Sequence, residues 1–364
     1  MSPRIVMVSL HPSSAGQAAA THTSNIAAVL REEGWDVVLT HTRSTADTSA
    51  MRRVLGWTSA LLRSAFHVRG TAVIYIRSHP AALPLTVMAQ ILGVPIVQEV
   101  NGPHEDYLQA WPRMARVGVL VTRPLDWQLR TATGIVAVTE GLSAWVTRRV
   151  GRHDAVVIPN GVDVELFAPG ATPTLPVPDR YVAFVGALAP WQGLDLLLAA
   201  TTDDTWPDDV ALLIAGDGQD RDLILRAAQQ RPGRIRWLGQ IDHHRVPGVL
   251  ANALAAIVTS ADRAGTGLAP IKLYEAMAAG VPVVVSEVAS LAETVRAERC
   301  GTVLSTPSPA ALATAVAELA ADQGLRHRLG ANARHAAVAR HSWQHRGAQT
   351  SAVLAAAHRS REYQ

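Results

Sequence analysis

Lysine is almost absent from this chain: of its 33 basic residues, every one except Lys272 is arginine. Cysteine occurs once, at Cys300, which excludes an internal disulfide or a cysteine-built metal site and fits a reducing compartment. Aromatic residues make up only 5% of the sequence and the formal net charge is only +3, so no interleaved basic and aromatic surface for nucleic acid is present. Long apolar runs are missing as well. The run after Arg4 ends at Leu10, too short for a secretory core, and the nearly uncharged stretch 81–98 is broken by Pro84 and Pro95. A cytoplasmic chain that does not cross the membrane is expected. Asp242, His243 and His244 are adjacent, a poor spacing for one metal ion, and no metal is expected. AGDGQD (215–220) lacks the three-glycine spacing of a dinucleotide fingerprint, and GTGLAPIK is no P-loop, which counts against a dehydrogenase and an NTPase.

What is present is a repeated alternation. Stretches rich in valine and isoleucine fall at 4–10, 36–41, 71–76, 95–100, 134–138 and 155–159, and again at 181–186, 210–216, 235–239, 255–260, 281–286 and 301–305, with helical stretches between them. That pattern predicts parallel sheets covered on both faces, six strands in each half. The segment 160–179, with four prolines and two glycines, is the best linker, and 364 residues suit two domains. Two doubly wound units joined there would open a cleft at the carboxyl ends of their sheets, where open α/β folds bind ligands. Three helical segments follow the last strand, at about 308–321, 323–340 and 342–358, with Ser342 placed to cap the third.

The stretch PIKLYEAMAAG (270–280) reads as a short helix aimed at a ligand. Pro270 suits a first helical position, and Gly280 followed by Pro282 stops the helix. The helix N-terminus and the feeding loop GTGLA (265–269), with Gly267, Leu268 and Ala269, offer backbone amides to an anion. Lys272 and Glu275 lie three apart and share a face, one a compact cation and the other an acceptor for sugar hydroxyls. A nucleoside diphosphate satisfies all of these features.

In the first half, the small-residue loop 11–25 opens a helix, and Gly16 there lets backbone approach a ligand. The loop EVNGPHEDYL (99–108) carries Glu99, Asn101, His104, Glu105 and Asp106, a candidate for acid–base or acceptor-orienting work. Between Thr48 and Gln98 there are five arginines and no acidic residue. Within 51–69, Arg52, Ser59, Arg63 and His67 recur at intervals of seven, four and four residues while Val54, Leu55, Leu61, Leu62 and Phe66 lie mostly elsewhere on the turn, a pattern that suits peripheral contact with anionic lipid or a simple solvated face.

The segments 157–170, 181–200, 212–222, 235–241, 270–286, 326–334 and HSW (341–343) together resemble glycosyltransferase family 4, retaining enzymes of the GT-B fold. The resemblance covers most of residues 157–345 in order, and the first half matches more loosely. It implies two Rossmann-like, doubly wound parallel-sheet domains facing a cleft: an acceptor-binding domain at 1–165, a nucleotide-sugar-binding domain at 166–341, and a last helix, 342–364, crossing back to the first domain. Glu275 matches the second glutamate of the family's pair, which binds the ribose hydroxyls, and Gly186 matches the glycine near the diphosphate.

Three departures stand out. The family's first glutamate falls on Gly267, the arginine after the strand glycine falls on Ala187, and the lysine before the next glycine falls on Gln192. Lys272 stands as the replacement for both missing cations. The family's histidine in the first domain falls near Asn101, which leaves His104 as the nearest imidazole, and Asp262 or Arg263 is a further contact candidate for donor sugar or diphosphate. The resemblance implies transfer of a sugar from a nucleoside diphosphate, UDP or GDP, to an acceptor hydroxyl with retention, with no further cofactor and with a lipid-linked acceptor among the options. Lys272, Asn101 and His104 are the catalytic candidates. Gly16, Gly186, Gly267, Leu268, Ala269, Lys272 and Glu275 are the donor-site candidates. Two other readings remain open: a catalytically degenerate binding or scaffold protein, which the three departures would allow, and a GT-B nucleotide-sugar epimerase. The basic segment 51–69 allows the protein to sit peripherally on the inner face of the plasma membrane.

Overall fold

The computed structural model describes residues 2–11, 18–42, 49–105, 118–260 and 271–361. Gly16, Asp262, Arg263, Gly267, Leu268 and Ala269 lie outside the described residues. The chain divides into two compact units, Met1–Asn160 with Trp343–Gln364, and Gly161–Ser342.

The first unit is an α/β sandwich around one parallel sheet. Its strands are β1 (Arg4–Ser9), β2 (Asp36–His41), β3 (Val73–Arg77), β4 (Ile96–Val100), β5 (Gly134–Ala137) and β6 (Ala155–Val157), and they stand side by side as β2-β1-β3-β4-β5-β6. Helices α1 (Ala18–Glu32), α2 (Ala50–His67), α3 (Leu83–Ile91), α4 (Gly118–Thr131) and α5 (Glu140–Val150) connect them. The strands are continuous apolar runs because both faces are covered: Val6, Val8, Ile74, Ile76 and Ile96 are all buried. Local chemistry sets the helix ends. Thr139 Oγ1 accepts from Leu142 N at 3.0 Å to start α5, and Gly151, at φ +74°, ends it. Because β1 pairs with both β2 and β3, the winding reverses between β1 and β3.

The second unit repeats the plan with β7 (Tyr181–Val185), β8 (Ala211–Ala215), β9 (Ile235–Trp237), β10 (Ala255–Val258), β11 (Val283–Ser286) and β12 (Gly301–Leu304), ordered β12-β11-β10-β7-β8-β9. Its helices are α6 (Leu194–Ala200), α7 (Arg221–Gln230), α8 (Val246–Ala251), α9 (Ile271–Ala278), α10 (Ala289–Glu298), α11 (Pro309–Ala321) and α12 (Gln323–Ala336). Ser308 and Asp322 cap α11 and α12 through Ala311 N (3.1 Å) and Leu325 N (2.8 Å). Here the winding reverses between β7 and β10, which pair with each other. In open sheets of this kind the carboxyl ends beside the reversal are where ligands bind.

A π-helical turn, Ala337–His341, follows α12, and the last helix, α13 (Trp343–Ser360), belongs to the first unit. α13 lies against α1 closely enough that a Cβ on Gly347 would fall 2.3 Å from Val29 Cγ1. Trp35 Nε1 also donates to Ser351 Oγ at 2.9 Å. No helix among the described residues is long and apolar enough to cross a membrane.

Candidate functional site

In the second unit the site is built where β7 ends beside β10. Gly186 follows β7 at φ +153°, and its N–H donates to Ala215 O at 3.0 Å. Gly216, after β8, approaches so closely that a Cβ there would stand 1.9 Å from Gly186 O. Side-chain-free backbone on both turns opens the corner into which α9 sends its first turn.

Lys272 fills that corner. Its Nζ lies 2.5 Å from Gln192 Oε1 and 4.5 Å from the centre of the Phe184 ring, and its side chain lies along Gly186. Burial pulls the ammonium down from its ordinary value near 10.5 to about 7, against the opposing pull of the Glu275 charge. No carboxylate forms an ion pair with Lys272 among the described residues; its contacts are an amide oxygen and an aromatic face. Gln192 sits on the turn Pro190–Gln192, and its backbone carbonyl accepts from Thr259 Oγ1 at 2.6 Å. Trp191, on the same turn, is 53% exposed.

Glu275 is buried one turn further along α9, and His243 Nε2 donates to its Oε1 at 2.7 Å. The bond to Glu275 raises the His243 pKa, and the ring leans on Phe167 at 5.3 Å. α9 ends as its sequence implies: Gly280, at φ +72°, donates to Met277 O at 3.0 Å. Lys272, Glu275 and Gly186 therefore gather at one corner of one unit.

The first unit carries a second polar cluster at the carboxyl end of its sheet. Glu99, on β4, is 1% exposed and accepts four hydrogen bonds. His22 Nε2 (2.8 Å) and the Tyr75 hydroxyl bond Oε2, while Arg77 Nη1 (3.2 Å) and Asn101 Nδ2 (2.5 Å) bond Oε1. Burial alone would raise the Glu99 carboxyl, but His22, Arg77 and Tyr75 hold it far below the usual carboxylate range. At the winding reversal of the same sheet, His11 and His79 meet edge to face at 5.4 Å. Burial, with Arg77 close by, keeps His11 well below its ordinary value, and burial takes His79 down to about 4.

His104 turns elsewhere. Its Nδ1 donates to Asp126 Oδ1 at 2.9 Å, and its ring stands edge-on to Trp145 at 4.7 Å. Arg149 Nε holds both oxygens of Asp126, at 2.9 and 3.1 Å. Burial, partly offset by the bond to Asp126, brings His104 down to about 4, so the ring is neutral near pH 7. Asn101 and His104 are thus anchored to different carboxylates. Sequence reasoning named Glu99 only as one member of a polar loop and His243 only as a poor metal ligand, and missed their roles as the anchors of Asn101 and Glu275. The signal for Glu99 was the polar pair Gln98–Glu99 inside a strand that is otherwise apolar and wholly buried. No cluster of His, Cys, Asp or Glu suited to a metal ion occurs among the described residues.

Comparison with known proteins places this geometry. A family model described as "Glycosyltransferase Family 4" matches residues 19–166, and one described as "Glycosyl transferases group 1" matches residues 172–336. Phosphatidyl-myo-inositol mannosyltransferase of Mycobacterium tuberculosis is 34% identical over 231 residues, which is 61% of this chain and 58% of that protein. The chain therefore spans under two thirds of the length of that curated relative. Among solved structures, the sucrose-phosphate synthase of Thermosynechococcus elongatus superposes with a TM-score of 0.78 at 19% identity, over 98% of this chain and all of that one. Anabaena HepE in complex with UDP superposes with a TM-score of 0.74 at 17% identity, over 97% of this chain and 100% of that one. With two family models side by side along most of its length and two parallel six-stranded units of this topology, the chain belongs to glycosyltransferase family 4 and has the GT-B fold.

Proposed function

We propose that the protein transfers a mannosyl or glucosyl residue from a UDP- or GDP-linked donor to an acceptor hydroxyl, with retention at the sugar carbon. The observation that carries this reading is Lys272: a cation enclosed by Phe184, Gly186 and Gln192, with no carboxylate among the described residues bound to it, in the first turn of α9. Enclosing an ammonium without an anion costs stability, and an arriving diphosphate would offset that cost through charge-assisted hydrogen bonds. Lys272 stands in for the family's two other diphosphate cations, whose positions hold Ala187 and Gln192. Glu275 takes the ribose hydroxyls. Charge grows on the leaving diphosphate during transfer, so the Lys272 ammonium and the α9 amino end act most strongly in the transition state. Asn101 and His104 serve the acceptor side. The mannosyltransferase relative supports a mannosyl residue as the group transferred, and the UDP-bound HepE supports a UDP-linked donor. Titration of UDP and GDP into the wild-type protein and the Lys272→Ala variant tests the reading.

The acceptor side also carries a lipid-facing surface in this reading. Met51, Leu55, Leu62 and Phe66 project from one stripe of α2 and are 76%, 62%, 64% and 90% exposed. Arg52 and Arg63, both exposed, run along one edge of the stripe, while Ala60, Ser64 and Val68 face the core. An apolar ridge edged by arginine matches the boundary of an anionic bilayer. A lipid-linked acceptor, met at the membrane surface, fits this placement.

A further inference from the structure

The Glu99 cluster is more elaborate than packing requires. A buried carboxylate that is ionised and bound to four donors has used its lone-pair directions, so Glu99 itself has no acceptor capacity left for a substrate or a proton. Its two oxygens divide the labour. Oε2 is fixed from inside, by Tyr75 on β3 and by His22 on α1, whose ring in turn stands edge-on to Trp343 of α13 at 5.4 Å. Oε1 holds two groups that are only half-buried, Arg77 and Asn101. Because an ionised carboxylate can only accept, Asn101 must present its NH2 group to Glu99. Its Oδ1 then points away from Glu99, and no group among the described residues bonds it. The Arg77 Nε is likewise buried without a hydrogen-bond partner. Replacing such a network by apolar side chains of equal volume commonly costs little, so its presence calls for a role other than stability.

We infer that Glu99 is a positioning residue for the transfer reaction: it locks the side chains of Asn101 and Arg77 so that the Asn101 carbonyl oxygen and the partly exposed Arg77 guanidinium meet a substrate at the carboxyl end of the first sheet. The carbonyl accepts from a sugar hydroxyl, and the guanidinium donates to a ring, hydroxyl or phosphate oxygen. Glu99 touches no reacting atom and acts through these two neighbours. This inference rests on the glycosyl-transfer reading above and concerns a separate unit from the nucleotide corner.

The test is a double-mutant cycle on the full-length protein, with release of free sugar from GDP-mannose and UDP-glucose as the activity and calorimetric binding of GDP and UDP as a control. Glu99→Gln and Asn101→Ala are each expected to lower kcat roughly ten- to a hundredfold with KM changed less than about twofold, as misaimed groups do. Nucleotide affinity stays at the wild-type value in both. The double variant is expected to be no slower than the slower single variant, because both remove the same contact. Losses that multiply, or a Glu99→Gln protein with wild-type kcat, overturn the inference. If Glu99→Gln does not fold, Tyr75→Phe loosens the carboxylate while keeping it, and an unchanged kcat there overturns the inference as well. A wild-type protein that binds neither nucleotide and turns over neither donor sinks the glycosyl-transfer reading and takes this inference with it, whereas turnover with an additive cycle sinks this inference alone.

Discussion

His243 Nε2 lies 2.7 Å from Glu275 Oε1, a contact that ties the turn His243–Arg245 to the middle of α9. The bond raises the His243 pKa above its ordinary 6.5. A group raised on folding adds stability below its unfolded pKa, and that contribution disappears as pH climbs through the folded value. His243→Ala should therefore destabilise the protein most at pH 5.5–6, by about 1 kcal/mol for a half-exposed charge-assisted bond, and least at pH 9. Thermal unfolding of the two proteins across that range is the check, and a Tm difference that grows with pH would refute the assignment.

Lys272 should show the opposite linkage. Its pKa falls from about 10.5 to about 7 on folding, so between those values the unfolded chain binds more protons and stability rises with pH. At pH 7 the ligand-free protein carries the burden of an enclosed ammonium. Lys272→Met should relieve it and raise stability by about 1–2 kcal/mol, roughly 2–8 °C in Tm, with the advantage shrinking toward pH 10. The same variant should bind nucleoside diphosphate poorly. A Tm that drops at pH 7 would show that the ammonium is already compensated without ligand.

The sheet architecture was legible because both faces of each strand are buried. All twelve stretches rich in valine and isoleucine became strands, since an apolar run flanked by glycine and proline has few alternatives to a covered parallel sheet. The corner around Lys272 was legible in part: a lone lysine between proline and glycine marked α9, and its length matched. Its partners did not show. Gln192 and His243 lie 80 and 32 residues from the side chains they contact, and nothing local pairs them. Glu99 was visible only as one titratable group in a crowded loop, because its donors come from 77, 24 and 22 residues away. The helical stretch after α11 was expected to continue through residue 340, but the structure ends the α-helix at Ala336 and continues as a π turn to His341. No glycine or proline marks that change.

The outward stripe on α2 predicts a membrane signal separable from the fold. The wild-type protein should sediment with vesicles of phosphatidylcholine containing about 30% phosphatidylglycerol and much less with phosphatidylcholine alone. Leu62→Ser with Phe66→Ser should abolish sedimentation, and Arg52→Ala with Arg63→Ala should reduce it by about 1 kcal/mol per residue and remove most of its salt dependence. Equal sedimentation of all three proteins would exclude α2 as the contact.

Gly216 offers a structural check on the corner proposed for the nucleotide. At φ +143°, with a Cβ position 1.9 Å from Gly186 O, it has no room for a side chain. Gly216→Ala should cost about 2 kcal/mol or more and displace Gly186, weakening nucleotide binding beyond the loss of stability. Chemical denaturation paired with a binding isotherm measures both, and a neutral substitution would mean that the two turns are not in contact.

In the proposed donor site an enclosed lysine replaces the family's cations at the diphosphate. Calorimetric titration of UDP, GDP and ADP into the wild-type, Lys272→Ala and Glu275→Ala proteins tests it most directly. One nucleotide should bind, and Lys272→Ala should cost about 1.5–3 kcal/mol, roughly ten- to a hundredfold in affinity, with Glu275→Ala also weaker. Wild-type affinity in Lys272→Ala, or no binding of any nucleotide to the wild-type protein, would contradict the account.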